Sequence, residues 1–388
     1  MLGACVDCTD APTERRKEPE DFVMHQQPTI EFRREPIYSV ALLAEEWQSL
    51  ERVSSPSFFT SWNWIGTFLE AVPEAVRPHL LRGFMQNETV SLALCGFAIR
   101  SRVKGLIRSR TLSINETGRS CFDCITIEHN SFLARTDLQT AVMISAMHWF
   151  AGLRDEADEF RLAGSFLRFP QYMLGGLRFH ETSVPSYSLD LDQLIDTNGQ
   201  VSRILSSNAR QQLRQSLRTY AVHGPLRLQP AYTLSEALAF FTDLKALHCQ
   251  SWERRGKRHA FTSEFFENFH RLLIQRTFAK GLIELSRVTA GEHLIGVLYN
   301  FRFGDRVYAY QSGFASADKG QRPGMVAHAL AIKRGFEAGA RVYDFMAGEN
   351  RLKQRFSTCC VPMLWQTIQH PNIVFGLEKL ARRFGQKV

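Results

Sequence analysis

No run of this chain approaches the roughly 18 to 20 uninterrupted apolar residues that a membrane-spanning helix needs. The most apolar helix-like stretch, Ala141 to Leu153, is closed by Arg154 and Asp155 and reads as a buried amphipathic helix, so no transmembrane segment is expected. The start of the chain lacks the basic-then-apolar layout of a secretory leader. Met1 to Gln27 is instead rich in Thr, Pro and charge, with Arg15, Arg16, Lys17, Glu18 and Glu20 in close succession. That composition predicts a disordered tail over residues 1–27 and, by default, a cytoplasmic protein. Metal-ligand spacing is also lacking. The C-x-x-C pairs Cys5/Cys8 and Cys121/Cys124 stand too far apart for a zinc ribbon, and no His pair lies at ligand spacing near either. No metal is expected, and these thiols, with the neighbours Cys359 and Cys360, are expected to be reduced and structural.

What is present is a globular composition. Of 388 residues, 44% are apolar and 22% charged, which points to two domains at roughly 150 residues each plus a tail. The net charge of +8 suits an anionic partner such as a phosphorylated cofactor if the arginines cluster. Apolar spacing and turn chemistry predict helices at Val40 to Val53 and Phe58 to Ala71. Strands follow at His79 to Met85, Thr89 to Ile99, Arg110 to Ile114 and Cys124 to Glu128, then the Ala141 helix and strands at Glu159 to Ala163 and Tyr187 to Leu191. A polar connector at Asp196 to Gln200 opens a second half. It holds helices at Ser202 to Tyr220, Leu234 to Arg254 and Ser263 to Ala279, with a short strand at Leu226 to Pro230. Three strands follow, Leu282 to Thr289, Glu292 to Phe303 and Arg306 to Phe314, with hairpin turns at Ala290-Gly291 and Gly304-Asp305. Helix Met325 to Ala338, strands Arg341 to Met346 and Pro362 to Gln369, and helix Asn372 to Phe384 complete the reading. The β-β-β-α-β order of the second half recurs loosely in the first, which predicts two copies of one α/β fold, residues 28–195 and 196–388, with a single large mixed sheet as the alternative.

Between the strand ending at Phe314 and the helix from Met325 lies Lys319-Gly320-Gln321-Arg322-Pro323-Gly324. A loop feeding a helix N-terminus offers unpaired backbone N–H groups and partial positive charge, which suits a pyrophosphate. Glycines let the ligand approach, and Lys319 and Arg322 add cationic donors. This strand, loop, helix, strand order resembles the acyl-CoA-binding core of the GNAT superfamily, with Val326 where that loop has Gly or Ala. The run Tyr343-Asp344-Phe345-Met346-Ala347-Gly348, extended to Lys353 and Phe356, resembles the signature of the CelD-like acetyltransferases of cellulose and exopolysaccharide biosynthesis. It is also similar to the related Fem-type aminoacyl transferases. The helix around Asn208 to Arg214 and the opening Phe58 to Trp64 resemble the same family.

The resemblance implies tandem GNAT-like domains with mixed central sheets flanked by helices, the second catalytic. It implies an acyl-CoA co-substrate, acetyl-CoA or another, held by Gln311, Ser312, Gln321, Arg322, Gly324 and Met325. Asp344 could orient a neighbour, act as base or cap the turn, and Glu349 is a second candidate base. Lys353 is expected in a loop beyond Gly348, and the resemblance makes it a cation over the reacting carbonyl or an acceptor phosphate. One of Tyr308, Tyr310 and Tyr343 could protonate the leaving thiolate. Arg210, Arg214 and Arg218 share one helix face; Arg210, Arg214, Trp252 and Tyr310 are the substrate-binding candidates. His328 reads as structural or exposed, and Glu128-His129-Asn130 as architecture of the first domain. The reaction expected is direct transfer to an amine or hydroxyl of a small-molecule or glycan precursor, with the envelope-synthesis machinery as the wider partner. The basic helix carries no interleaved aromatics, which disfavours nucleic acid. Two rivals are an aminoacyl-tRNA-dependent Fem-type transferase, against which stands the lack of a sustained heptad run, and a non-catalytic binding subunit, for which Val326 is the best support.

Overall fold

The computed structural model describes residues 28–102, 107–170, 176–253, 256, 260–318 and 320–372. The expected tail, Cys5/Cys8, Lys319, Arg254 and all but the first residue of the helix expected at Asn372 to Phe384 lie outside the described residues. The first half holds strands β1 (Glu31–Glu35), β2 (His79–Met85), β3 (Glu88–Arg102), β4 (Ile107–Ile114), β5 (Leu133–Ala134), β6 (Glu159–Ser165) and β7 (Arg178–Asp190). Its helices are α1 (Val40–Glu51), α2 (Trp62–Ala71) and α3 (Gln139–Ala151). The second half runs α4 (Ser207–Ala221), β8 (Leu226–Pro230), α5 (Leu234–Glu253), α6 (Glu264–Thr277), β9 (Ile283–Ala290), β10 (His293–Phe303) and β11 (Arg306–Phe314). It closes with α7 (Pro323–Glu337), β12 (Val342–Ala347), α8 (Arg351–Phe356) and β13 (Cys359–Gln369).

The fold is the expected α/β arrangement of two like halves, fused into one mixed sheet. Its strand order is β1-β2-β3-β4-β6-β13-β7-β12-β11-β10-β9-β8, with β5 beside β3. Read outward from the central pair, the two sides correspond strand for strand. The central pair is exchanged: β7, which follows β6 in the chain, lies against β12, and β13, which ends the second half, lies against β6. The two central strands are antiparallel over their shared length, from Cys359 opposite Ser188 to Gln369 opposite Arg178. Each half has one parallel pair, β4 with β6 and β11 with β12.

Strand alternation sends successive side chains to opposite faces. On one face, Leu80, Leu92 and Leu94 of the first half and Leu285, Val297, Tyr299, Phe301 and Tyr308 of the second join a single core under α1, α2, α5 and α6. Rings close the seam: Phe58 stacks on Phe301 at 4.3 Å and Trp64 meets Phe269 edge-on at 4.8 Å. On the other face the cores are separate, one around α3 and one around α4 and α7.

Local chemistry explains most boundaries. Gln86 and Asn87, both at positive φ, form the tight β2–β3 turn. The second-half basic helix starts at Ser207, later than Ser202, because Ser206 caps it by accepting from the Ala209 amide. The strand expected at Cys124 to Glu128 is not one. It is a single turn at Asp123–Ile125 followed by irregular chain, with Thr126 and His129 in the left-handed region at φ 48° and 50°. Such backbone is costly for non-glycine residues and persists only where neighbours fix it. Asn130 fixes it here. Its Nδ2 donates to Ile114 O and Ala163 O, each at 3.0 Å, its Oδ1 accepts from Asn115, and its amide donates to Gly164 O.

Asn130→Ala would remove the side-chain donor from two buried carbonyls and leave the Asn115 side-chain amide with Ser131 O alone. At about 1 to 3 kcal/mol for each buried polar group left unsatisfied, a loss of about 3 kcal/mol is expected in urea unfolding followed by tryptophan fluorescence. A change below about 0.5 kcal/mol would remove Asn130 as the anchor of this segment.

Candidate active site

β11 and β12 pair in parallel at only three positions, Arg306 with Val342, Val307 with Tyr343 and Tyr308 with Asp344. Beyond that point β11 runs on to Phe314, and β12 bends at Met346, where φ is 66°. The strands therefore part, and their facing backbone groups need other partners. The first half supplies a partner to one such group and a second tie through a side chain. Tyr310 of β11 donates its hydroxyl to Ile125 O, and the amide of Ala347 in β12 donates to Glu128 Oε2 at 2.8 Å. The irregular segment 125–129 thus crosses the opening on the face shared with α5 and α6.

The corresponding opening in the first half is closed. β4 and β6 also pair at three positions, but there the Asn130 side chain bridges Ile114 O and Ala163 O across the gap. The two junctions look alike in topology and differ in what fills them.

A charged cluster sits at the second junction. Asp344 is 2% exposed. Its Oδ2 accepts from Arg306 at 2.8 Å and lies 3.1 Å from His129 Nε2, and its Oδ1 accepts from the Met346 amide at 2.8 Å. The His129 contact is close but poorly aligned for a hydrogen bond. Burial pushes the Asp344 carboxyl up, yet His129, Arg306 and the Met346 amide outweigh it and hold the group below the ordinary aspartate value. Glu128 goes the other way: burial raises it, and the Ala347 amide and the Lys353 charge only partly offset that.

Lys353 does not sit in a loop, as expected, but on α8, a short helix capped by Asn350, which accepts from the Leu352 amide. Helical spacing turns Lys353 back so that its Nζ donates to Ala347 O at 2.6 Å and Met346 O at 3.2 Å. Burial lowers its pKa, opposed by the charges of Glu128 and Asp344. Glu349 is exposed and lies outside this cluster; it accepts from Gln354 at 3.5 Å.

The remaining candidates fall into two groups on opposite faces. On the α7 face, Gln321 folds its side chain back to accept from the Asp318 amide, and Arg322 donates to Gly320 O. Ser216 of α4 also donates to Gly320 O, which ties the loop to the basic helix. α7 opens with Pro323 and no side-chain cap, and both Met325 and Val326 amides turn to Arg322 O. Gly324 is packed so that an added Cβ would lie 3.1 Å from Leu352 and 3.2 Å from Phe314. Val326 is fully buried in the core under α7. Arg210 donates to Leu205 O at 3.1 Å, while Arg214 and Arg218 are exposed.

On the α5 face, Trp252 stacks on His248, whose Nδ1 lies 3.4 Å from Ser312 O. Gln311, which strand alternation sends to the α7 face with Ala309, accepts through Oε1 from the Ser312 amide at 3.2 Å. Tyr310 lies 3.1 Å from His270 Nε2, and burial of its hydroxyl raises its pKa well above the ordinary value. Tyr308 is pushed up to about 12 by burial. Back on the α7 face, His328 is buried and bonded to Tyr343 at 2.9 Å, its pKa lowered by burial to about 4, which makes it structural. Cys124 Sγ lies 3.2 Å from Ser263 Oγ, joining the two halves. Among the described residues no cluster of three or more His, Cys, Asp or Glu could hold a metal ion.

Glu128, His129 and Arg306 are the members that sequence reasoning missed. The tripeptide Glu128-His129-Asn130 was visible, but its partner Ala347 is 219 residues away.

Comparison with known proteins bears on the domain and the fold. Residues 207–354 match the acetyltransferase (GNAT) domain family, so the second half carries a GNAT-type domain. Of solved structures, FemX is similar at a TM-score of 0.52 and 10% identity, over 83% of this chain and 95% of that one. A conserved protein of unknown function from Bacteroides thetaiotaomicron gives 0.51 at 10% identity, over 87% and 100%. The L-PGS of Bacillus licheniformis gives 0.50 at 12%, over 87% and 93%. These likenesses concern the fold. No curated protein matches the sequence.

Asp344→Ala would strand Arg306 and remove the acceptor of the Met346 amide. Breaking a buried pair costs about 3 to 5 kcal/mol, and with Arg306 partly exposed about 3 is expected near pH 7. Because the folded-state pKa of Asp344 is lowered, its contribution is complete above the ordinary value of 3.8 and lost as the pH falls through the lowered one. Denaturant titrations of both proteins should therefore converge in acid; a difference that stays constant with pH would contradict the ion-pair assignment.

Proposed function

We propose that this protein transfers an acyl group from an acyl-CoA, acetyl-CoA foremost, to an amine or hydroxyl of a sugar, amino-sugar or envelope-polysaccharide precursor. The observation that carries the reading is the difference between the two parallel junctions. The first is bridged by Asn130, whereas the second parts beside a charged cluster, next to the loop 318–324 and the uncapped start of α7. The match of residues 207–354 to the acetyltransferase domain supports the same half as the catalytic one. The motif from Tyr343 through Asp344, Gly348 and Lys353 favours the CelD-like branch within it.

In this reading the pyrophosphate lies on the first turn of α7 with Arg322 beside it, and the pantetheine arm runs between β11 and β12. The exposed Arg214 and Arg218 on α4 present further positive charge on that side. The acceptor approaches from the α5 face, past Trp252 and His248. Backbone N–H groups of β11 near Gln311 to Gly313 meet the developing oxyanion, each worth about 3 kcal/mol where such donors have been removed. Val326 points into the core, so its departure from the Gly or Ala of other loops does not block the mouth.

The resemblance of the Tyr343 to Phe356 run to Fem-type transferases keeps transfer from a charged tRNA as the second reading. Among the described residues the longest helix, α5, has 20 residues and packs on the sheet, so it is not a projecting arm. Among them also, no helix is long and apolar enough to cross a membrane. A place on the cytoplasmic side, in contact with envelope-synthesis proteins, is part of the proposal.

Isothermal calorimetry with acetyl-CoA tests it. Wild type is expected to bind, and Arg322→Glu to bind about 10-fold more weakly, a change of about 1.4 kcal/mol. No heat at millimolar acetyl-CoA, together with strongly salt-dependent tRNA binding, would replace this reading with the second.

A further inference from the structure

We propose that Glu128, from the first half, is the general base for the acyl transfer carried out in the second half. The inference rests on the acyltransferase reading and adds to it the residue that accepts the proton. Three carboxylates stand at or near the junction, and their surroundings separate them. Asp344 has both oxygens engaged by Arg306, the Met346 amide and the close His129 ring. That environment holds its pKa below the ordinary aspartate value, which makes it the weaker proton acceptor. Glu349 is exposed and outside the cluster.

Glu128 lies between the parting strands. One oxygen, Oε2, is fixed by the Ala347 amide of β12 at 2.8 Å. On the other side stands Tyr310 of β11, near enough for the Glu128 charge to act on its hydroxyl. No described residue donates to Oε1, which is left to face an acceptor. The carboxylate is thus held in a set orientation by one bond while its second oxygen remains available, which is the geometry a base needs. Its position is fixed from behind as well. Ser57 donates to His129 O at 2.9 Å, and Asn130 locks the next residue.

The charged and titratable groups facing Glu128 are Lys353 from α8, Asp344 from β12, Tyr310 from β11 and its own neighbour His129. Burial is the largest influence and raises the carboxyl pKa above the ordinary glutamate value, which makes Glu128 the better proton acceptor of the two buried carboxylates. The acceptor nitrogen or oxygen forms a bond to the thioester carbonyl carbon, and its proton passes to Glu128 Oε1. The carbon–sulfur bond breaks, and the departing thiolate takes that proton, leaving as free CoA and restoring the carboxylate.

The arrangement also gives the first half a reason to exist. With its own junction bridged by Asn130, it contributes a residue to the site of the other half.

Glu128→Gln is the test, because the glutamine carbonyl can still accept from the Ala347 amide while the base is lost. Thiol release from acetyl-CoA with glucosamine as probe acceptor is measured from pH 5 to 9, alongside acetyl-CoA calorimetry and a thermal melt of both proteins. The expected result is a loss of about 100-fold in kcat, at the lower end for general-base catalysis, with acetyl-CoA affinity within about 2-fold. The acid limb of the variant should reflect protonation of the acceptor amine alone, whereas the wild-type limb carries the protonation of Glu128 as well. Turnover within about 3-fold of wild type with the same pH profile would overturn the assignment and leave the acyltransferase reading intact. A wild type that binds no acetyl-CoA would overturn that reading and the assignment with it.

Discussion

The antiparallel pairing of β7 with β13 holds the molecule together, because it gives each half its sixth strand from the chain of the other. A sheet edge presents a row of unpaired N–H and C=O groups, and both β6 and β12 would expose one without the exchange. The shared apolar layer under α1, α2, α5 and α6 then follows, since the two halves are held edge to edge and their like faces become continuous. The halves cannot be treated as two beads on a string, and the route by which the first half reaches the second junction depends on this registration.

What reaches across is short and strained. Thr126 and His129 hold left-handed backbone that side chains disfavour, and the cost is offset by Asn130 and by the contacts the segment makes at its far side. Strain of this kind collects where a side chain must be aimed. Here the aimed groups are Glu128 and His129. The same cluster contains two carboxylates whose environments drive their pKa values in opposite directions: Asp344 downward through His129 and Arg306, Glu128 upward through burial. Separation of this sort distinguishes a group that orients from a group that can exchange a proton.

Much of this was legible locally. The β9–β10–β11 hairpins, the Gly-rich loop, α7 and β12 all follow from turn chemistry and apolar periodicity, and they appear within a residue or two of their expected ends. The motif from Tyr343 to Phe356 marked Asp344 and Lys353 because their roles are built from neighbours in sequence. Lys353 was misread as a loop residue because α8 spans under two turns, too short for periodicity to reveal. β1 is five residues with alternating exposure and left no signal strong enough to read. Glu128 and Arg306 were not legible for a different reason: their meaning lies in partners far along the chain, and no local pattern encodes a contact between halves. The exchange of β7 and β13 was likewise silent, since a strand that pairs with its own half and one that pairs with the other present the same alternation.

The most direct measurement is a structure of the full chain with acetyl-CoA bound. The thioester should lie between β11 and β12, with the pyrophosphate on the first turn of α7 and Glu128 beside the carbonyl. Acetyl-CoA bound between β4 and β6, or anywhere that leaves the β11–β12 junction empty, would contradict the assignment of chemistry to the second half.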